Sequence, residues 1–174
     1  ADHPAWGVFV KSQIDSIRVQ GLDVDVVFIN GRESRSNYLR AVTDIHKHLQ
    51  RKRYDLIHAH YGLTGIVSRL QFRCPLVVSF CGDDVFGTPD EHGRYGILSR
   101  LFASLSSRAL SACSNAVIVK SKAMLQRLGH RDAQVIPNGV DFRHFRPMDK
   151  RKARQQLGLD EKRKYVLFAN DPSI

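Results

Sequence analysis

The sequence contains few of the features that mark secreted or membrane-spanning proteins. Only three of its 174 residues are cysteines, and none of them forms a C-x-x-C pair. An odd number of cysteines without paired spacing favours reduced thiols over a disulfide framework. No run approaches the roughly 18 consecutive apolar residues that a membrane-spanning helix needs, and no signal-peptide pattern opens the chain. These absences predict a cytoplasmic protein.

The sequence also lacks internal repeats, low-complexity tracts, zinc-finger spacing and RNP-type motifs, although its formal net charge is +10. A basic surface suits nucleic acid, anionic lipid or phosphorylated substrates, and the missing motifs argue against nucleic acid. The alternative is that these charged residues lie on solvated helix faces and in a linker, without binding a partner. The basic clusters are Arg32, Arg35 and Arg40; Lys47, Arg51, Lys52 and Arg53; Lys150, Arg151, Lys152 and Arg154; and Lys162, Arg163 and Lys164.

Apolar residues recur with two alternating periods along the chain. Helical spacing predicts helices over residues 8–19, 38–53, 63–72, 97–113 and 121–128. Short apolar runs between them predict strands over residues 24–29, 55–60, 76–81, 116–120 and 134–136. Strands separated by helix-length segments predict an α/β fold with a doubly wound, Rossmann-like parallel sheet.

A turn near residue 138 marks the predicted end of this domain. Pro137 stops a strand because it has no N–H to donate, and Asn138-Gly139 supplies a turn. A short basic helix and a new apolar strand over residues 165–169 follow. We therefore predict one domain over residues 1–147, and a linker helix with the first strand of a second domain over residues 148–174.

The segment 136–141, with the sequence IPNGVD, resembles the signature of family-4 retaining glycosyltransferases of the GT-B fold. In that family the signature closes the N-terminal domain beside the inter-domain cleft. The resemblance implies an enzyme that transfers a sugar from a nucleotide-sugar donor to a sugar, lipid-linked or small-molecule acceptor with retention of configuration. It implies no metal and no cofactor, since the nucleotide-sugar is a co-substrate, and a role in cell envelope polysaccharide biosynthesis.

The chain opens directly on a helix, whereas doubly wound domains usually begin with a strand. We therefore expect a fragment truncated at both ends, which carries the acceptor-binding half of the enzyme. The alternative is an unusual fold that begins with this helix. The family's donor-binding cations lie in the second domain, so we expect the fragment alone to be inactive and identify no catalytic residue.

Two other segments extend the resemblance. Trp6, Gly7 and Val8 resemble the loop that approaches the donor diphosphate, where a glycine and a helix N-terminus favour an anion. The alternative is a glycine that only starts the helix. Ser121 resembles the serine that ends a strand at the inter-domain cleft, to which Asn138, Gly139 and Asp141 are also assigned. An N-cap role explains Ser121 fully without any function in the cleft and is the favoured interpretation, and Lys120 is interpreted as solvent-facing.

The segment 58–62, with the sequence HAHYG, ends a predicted strand, so alternation puts His58 and His60 on one face. Such a pair suits zinc only with further ligands near by, and the other histidines lack ligand spacing. We predict no metal site. The resemblance makes His60 and Tyr61 acceptor-binding residues, against the alternative of a structural histidine.

The segment 79–84, with the sequence SFCGDD, follows the next strand. Ligands of open α/β sheets collect at the carboxyl ends of strands, so we predict that Cys81, Gly82, Asp83 and Asp84 bind the acceptor. Asp84 is an equally good cap for the following segment, and Cys81 stands where the family often has histidine. We expect one cavity lined by His60, Asp83 and Asp84, with Gly7 and the 138–139 turn at its rim.

Two hypotheses from different classes follow. The first is the acceptor-binding half of a cytoplasmic, metal-independent, retaining glycosyltransferase that uses a nucleotide-sugar. If its acceptor is lipid-linked or membrane-embedded, we expect the basic end of helix 38–53 to contact an anionic membrane. A favourable interaction of those charges with the helix dipole is the competing explanation. The second is a non-catalytic Rossmann-like module that binds a phosphorylated or anionic partner.

Overall fold

A computed structural model of the chain describes residues 7–90, 92–129 and 132–167. The chain divides into two compact units, residues 1–139 and residues 140–174. The larger unit holds the sheet. The predicted domain boundary at residues 147–148 stays a prediction.

The larger unit is built on a four-stranded parallel sheet. Its strands are β1 (Ile57–His60), β2 (Leu76–Ser79), β3 (Ala116–Val119) and β4 (Gln134–Val135), in the order β1-β2-β3-β4. The register places Ala59 beside Val78 and Val78 beside Val117. The predicted α/β fold with a parallel sheet is confirmed.

Helices connect the strands and precede the sheet. They are α1 (Val8–Val19), α2 (Ser36–Arg51), α3 (Gly62–Arg69), α4 (Asp83–Phe86), α5 (Ile97–Cys113) and α6 (Lys122–Leu128), while α7 (Lys150–Gln156) lies in the smaller unit. Five predicted helices are present, with α1 and α5 at their predicted bounds. The single turn α4 was not predicted, because four residues are too few to show a helical period.

Side-chain alternation gives the sheet two different faces. One face, which we call the core face, buries apolar side chains against α3, α5 and α6; its residues are Ala59, Leu76, Val78, Phe80, Val117 and Val119. The other, which we call the histidine face, carries His58, His60, Ser79, Ile118 and Lys120, and Phe9 of α1 lies against it. The apolar core thus stabilises one side of the sheet and leaves polar groups on the other.

Residues 24–29 do not form the predicted strand. No β-ladder includes them among the described residues, although Val27 and Ile29 pack on Ala41 and Ile45 of α2. A strand needs a partner as well as an apolar pattern, and the pattern alone misled the prediction. Residues 165–167 likewise form no strand, and no β-ladder includes them among the described residues. The Tyr165 hydroxyl accepts a hydrogen bond from Asp160 N at 2.8 Å. Residues 168–169 lie outside the described residues.

None of the helices in the described part of the chain combines the length and the apolar content needed to cross a bilayer.

Candidate functional site

The candidate site lies at the carboxyl edge of the sheet, because all four strands are parallel and end there. The residues that follow each strand gather at this edge. They are Tyr61 and Gly62 after β1, Cys81 and Gly82 after β2, Lys120 and Ser121 after β3, and Ile136 to Gly139 after β4. The edge therefore collects most of the residues singled out from the sequence.

Asp84 ties the ends of β1 and β2 together. Its Oδ2 accepts a hydrogen bond from Gly62 N at 2.9 Å, and its Oδ1 accepts from Gly82 N at 2.8 Å and Cys81 N at 3.0 Å. Burial raises the pKa of the Asp84 carboxyl, while these three N–H donors oppose the shift. Asp84 therefore satisfies the backbone at the starts of α3 and α4, as the capping alternative anticipated.

Tyr61 is held in a strained backbone conformation. Its φ is 81°, and no other non-glycine residue of the described chain has a positive φ. Such a conformation costs roughly 1–3 kcal/mol and persists only where neighbouring bonds impose it. Tyr61 N donates to Ser79 O at 2.9 Å, and Tyr61 O accepts from Gly65 N at 3.0 Å. The strain turns the chain sharply out of β1, immediately beside the candidate site.

Two separate grooves open at this edge. The first, which we call the acidic groove, has a volume of about 210 Å³ and is lined by Tyr61, Asp83 and Asp84 together with residues of α3 and α5. The second, which we call the lysine groove, has a volume of about 300 Å³ and lies on the histidine face. Its lining includes Phe9, Ser79, Lys120, Asn138 and Gly139.

The prediction of a single cavity is therefore wrong. Asp83 and Asp84 line the acidic groove, Asn138 and Gly139 line the lysine groove, and His60 lines neither. Strand alternation is the reason: His60 projects from the histidine face, whereas Asp83 and Asp84 begin a helix on the side of α3 and α5. Their proposed roles stay predictions.

The two histidines pack against each other. Their ring centroids are 4.4 Å apart, and the Phe9 ring lies edge-on to His60 at 6.4 Å. His58 Nε2 and Ser79 Oγ form a hydrogen bond of 2.8 Å, but the buried His60 Nδ1 has no hydrogen-bond partner in the described part of the chain. Burial lowers the pKa of His58, and burial, His58 and Lys120 lower the pKa of His60 to about 4. Both rings are therefore neutral near pH 7.

Lys120 is a functional candidate that sequence reasoning dismissed as solvent-facing. Its side chain is half-buried in the lysine groove, and no carboxylate within residues 7–90, 92–129 and 132–167 forms an ion pair with it. Its charge lowers the pKa values of His58, His60 and Cys81. The signal available in the sequence was a lysine directly after the apolar strand run of residues 116–119.

Cys81 lines neither groove, and its thiol is poorly suited to act as a nucleophile. Burial is the main cause that raises the pKa of its thiol to about 11, and Asp84 adds to that effect. The thiol is therefore protonated near neutral pH, and only a thiolate reacts readily. Cys81 fits a packing role better than a chemical one.

The other predicted residues have local explanations. Gly7 takes a left-handed conformation with φ 75° directly before α1, and Val8 is exposed; Trp6 lies outside the described residues. Ser121 Oγ accepts a hydrogen bond from Met124 N at 3.2 Å and so caps α6. Asp141 belongs to the smaller unit, where bonds from Arg143 and His144 lower the pKa of its carboxyl.

Within the described ranges, no three histidine, cysteine or acidic side chains converge into a group suited to a metal ion.

Comparisons with known proteins give a family and a fold. Residues 7–144 match the family described as Glycosyltransferase Family 4. No curated protein matches the chain. Among solved structures, the chain is similar to a sucrose-phosphate synthase from Thermosynechococcus elongatus, with a TM-score of 0.54 and 24% sequence identity over 73% of this chain and 33% of that chain. The chain thus spans about a third of that synthase, and the likeness shows a shared GT-B fold.

Proposed function

The chain belongs to glycosyltransferase family 4, and on this premise we propose that it is the acceptor-binding part of a retaining glycosyltransferase. The proposed enzyme moves a sugar from a nucleotide-sugar donor to a sugar, lipid-linked or small-molecule acceptor. The family match carries the proposal, because its span of residues 7–144 contains the carboxyl edge and both grooves. Retention, metal independence, a cytoplasmic location and a role in cell envelope polysaccharide synthesis are part of the proposal and rest on the sequence analysis.

The acidic groove supports acceptor binding. Asp83 is exposed at its rim and has no side-chain hydrogen bond to another described residue, so its carboxylate is free to accept bonds from sugar hydroxyls. Asp84 holds the loops that form the groove, and Tyr61 adds an aromatic wall and a hydroxyl. We assign Asp83 and Tyr61 to acceptor contact and Asp84 to positioning.

The lysine groove suits an anionic part of a substrate. It combines the Lys120 ammonium with the side chains of Ser12 and Asn138, and it adjoins α1. A cation in a partly enclosed polar groove stabilises phosphate or carboxylate more than a fully solvated one does. Two grooves at one sheet edge fit a transferase, which must hold two substrates together.

The test uses the full-length protein with a panel of nucleotide-sugars and acceptors. We expect release of the nucleoside diphosphate and a product whose anomeric configuration, measured by NMR, equals that of the donor. Asp83→Asn should raise the KM for the acceptor at least tenfold without changing the melting temperature. Asp15→Asn, an exposed carboxylate on α1, is the matched control. Inversion of configuration, or no turnover of any donor, would contradict the proposal.

A second candidate function is supported by Lys120. A cation without a carboxylate partner in the described ranges is also what a non-catalytic module would offer to a phosphorylated or anionic partner. The two functions separate in one experiment on the full-length protein. Binding of a nucleoside diphosphate that Lys120→Gln abolishes, without transfer from any nucleotide-sugar, would favour the module.

A further inference from the structure

Two asparagines of this chain, Asn30 and Asn138, are directly followed by glycine. In such a pair the backbone nitrogen of the glycine is able to attack the side-chain carbonyl of the asparagine, because glycine has no side chain that obstructs the approach. Asparagine is accordingly one of the thermally labile residue types. The reaction in a folded chain requires that the asparagine amide and the glycine N–H are free to move. The structure gives the two pairs opposite surroundings.

The pair Asn30-Gly31 is held by hydrogen bonds. Asn30 Oδ1 accepts from Glu33 N at 3.3 Å, and Asn30 Nδ2 donates to Glu33 Oε2 at 3.1 Å. Gly31 N donates to Ile29 O at 3.0 Å. The ring of Tyr38 occupies the space in which a Cβ on Gly31 would lie, so this glycine is also covered. Ring closure at Asn30 would have to break the bonds of both reacting groups.

The pair Asn138-Gly139 has none of these restraints. It lies after β4 in a segment without helix or strand, and both residues are exposed. Neither the Asn138 amide nor the Gly139 N–H forms a hydrogen bond with the part of the chain that the structure describes. A Cβ on Gly139 would have nothing within 4 Å. The attacking nitrogen and the carbonyl that it attacks are therefore both free to move.

The same asparagine lines the lysine groove. Among the described residues of that lining, Lys120 is the one with a charged side chain. No carboxylate of the described ranges forms an ion pair with it. A carboxylate at position 138 would bring a negative charge into the groove and would offset the positive potential that Lys120 offers to an anion.

We propose that Asn138 is a site of spontaneous deamidation, and that the modified chain loses anion affinity in the lysine groove. Gly139 N forms a bond to Asn138 Cγ, the bond from Cγ to Nδ2 breaks, and ammonia leaves with the proton of the Gly139 N–H. Water then opens the cyclic succinimide at either carbonyl, which gives aspartate or isoaspartate at position 138. Both products carry a carboxylate in place of a neutral amide. The loss of anion affinity rests on the proposed function of the groove, whereas the deamidation does not.

The modification is tested by incubating the folded full-length protein in mildly alkaline buffer below its melting temperature. Tryptic peptides 19–32 and 132–143 contain one Asn-Gly pair each, so mass spectrometry of one digest compares the two. We expect the mass gain of deamidation to accumulate in peptide 132–143 at least about tenfold faster, because the hydrogen bonds at Asn30 must first break. In protein unfolded by guanidinium chloride, the two peptides should gain mass at similar rates.

A variant with an obstructed nitrogen tests the chemistry. Gly139→Ala should slow the mass gain of peptide 132–143 several-fold, because the added methyl group hinders the attack. It should leave the melting temperature unchanged, since the methyl group meets no atom within 4 Å and the φ of Gly139 is not left-handed. The equally small change in peptide 19–32 should be the same in the variant and in wild type.

The effect on the groove is tested with inorganic pyrophosphate as the probe. Asn138→Asp, which has the charge of the product, should lower the affinity measured by calorimetry about tenfold at low salt. Gln20→Glu adds the same charge at an exposed position that lines neither groove, and should leave the affinity unchanged. Aged wild type should lose affinity relative to fresh wild type, whereas Gly139→Ala should retain its own starting value for longer.

Separate outcomes would overturn the two parts of the proposal. No mass gain in peptide 132–143 of the folded protein, or equal rates in the two peptides, would overturn the deamidation. Unchanged pyrophosphate affinity in Asn138→Asp and in aged wild type would overturn the effect on the groove, and with it the anionic ligand proposed for Lys120. The mass measurement requires no sugar transfer, so failure of the proposed function leaves it intact.

Discussion

Asp83 and Asp84 are neighbours in sequence, but only Asp84 accepts backbone hydrogen bonds from two loops. Asp84→Asn replaces one acceptor oxygen by an amide that faces N–H donors. We expect it to lower the free energy of unfolding by about 1–3 kcal/mol, because buried donors lose their partner. Urea denaturation measures the loss. Asp83→Asn, at the exposed neighbour, should change it by less than about 0.5 kcal/mol; equal losses would contradict the assignment.

His60 makes stability depend on pH. Its pKa is about 4 in the folded chain against an ordinary 6.5, so the unfolded chain binds a proton between these values that the folded chain does not. Stability therefore falls as pH decreases from 6.5 toward 4. Between about pH 7.5 and about pH 5 we expect a loss of about 1 kcal/mol, less than full linkage because the ring is partly exposed.

Unfolding by urea at the two pH values measures this loss, and His60→Gln should reduce it. A smaller slope should persist, since burial also lowers the pKa of His58. His92→Gln, at an exposed position, is the control. An unchanged slope in His60→Gln would contradict the prediction.

For single residues, the sequence correctly predicted the features that depend on neighbouring residues in the chain. Strand alternation placed His58 and His60 on one face, and the capping alternatives for Asp84 and Ser121 agree with their hydrogen bonds. Lys120 was dismissed because its importance depends on which charges surround it in space. Asp83 and His60 lie in different surroundings because α4 begins at Asp83. The sequence did not predict this, since a helix of four residues shows no helical period.

At the scale of elements, periodicity predicted long helices well and isolated strands poorly. Helix α5 spans 17 residues, and its predicted bounds are correct, but the period did not reveal that serines would face inward. Residues 24–29 have a strand-like pattern without a pairing partner among the described residues. A period identifies an element type, whereas partners and buried faces are set by tertiary packing.

The packing of α3 against β2 and α5 gives a prediction at this scale. A Cβ on Gly65 would lie 2.7 Å from Leu110 Cδ2 and 3.2 Å and 3.3 Å from the Val78 methyl groups. Gly65→Ala should therefore lower the free energy of unfolding by about 1–3 kcal/mol, despite a helix propensity gain of up to about 1 kcal/mol. Denaturant unfolding measures the change.

Gly96→Ala is the matched control, because nothing lies within 4 Å of the added methyl. Combining Gly65→Ala with Leu110→Ala should cost less than the sum of the single changes, since the clash is then removed. Additive losses would show that overpacking is not the cause.

At the scale of the molecule, the segment from residue 142 to residue 149 is exposed throughout and contains no helix or strand. Trypsin should therefore cut first at Arg143, whose side chain is 88% exposed. Mass spectrometry of a time course should show a product ending at residue 143 that resists further digestion. Arg143→Gln should slow this first cut. A first cut within residues 57–128 would contradict the prediction.

The strand order has a consequence for synthesis of the protein. In the described sheet β2 pairs with β1, β3 with β2 and β4 with β3, so each strand joins the one that precedes it in the chain. A ribosome releases the chain from its N-terminus, and domains generally begin to fold in that order. Each strand therefore leaves the exit tunnel after the partner on which it must dock. No strand of the described sheet therefore has to insert between two strands that have already paired.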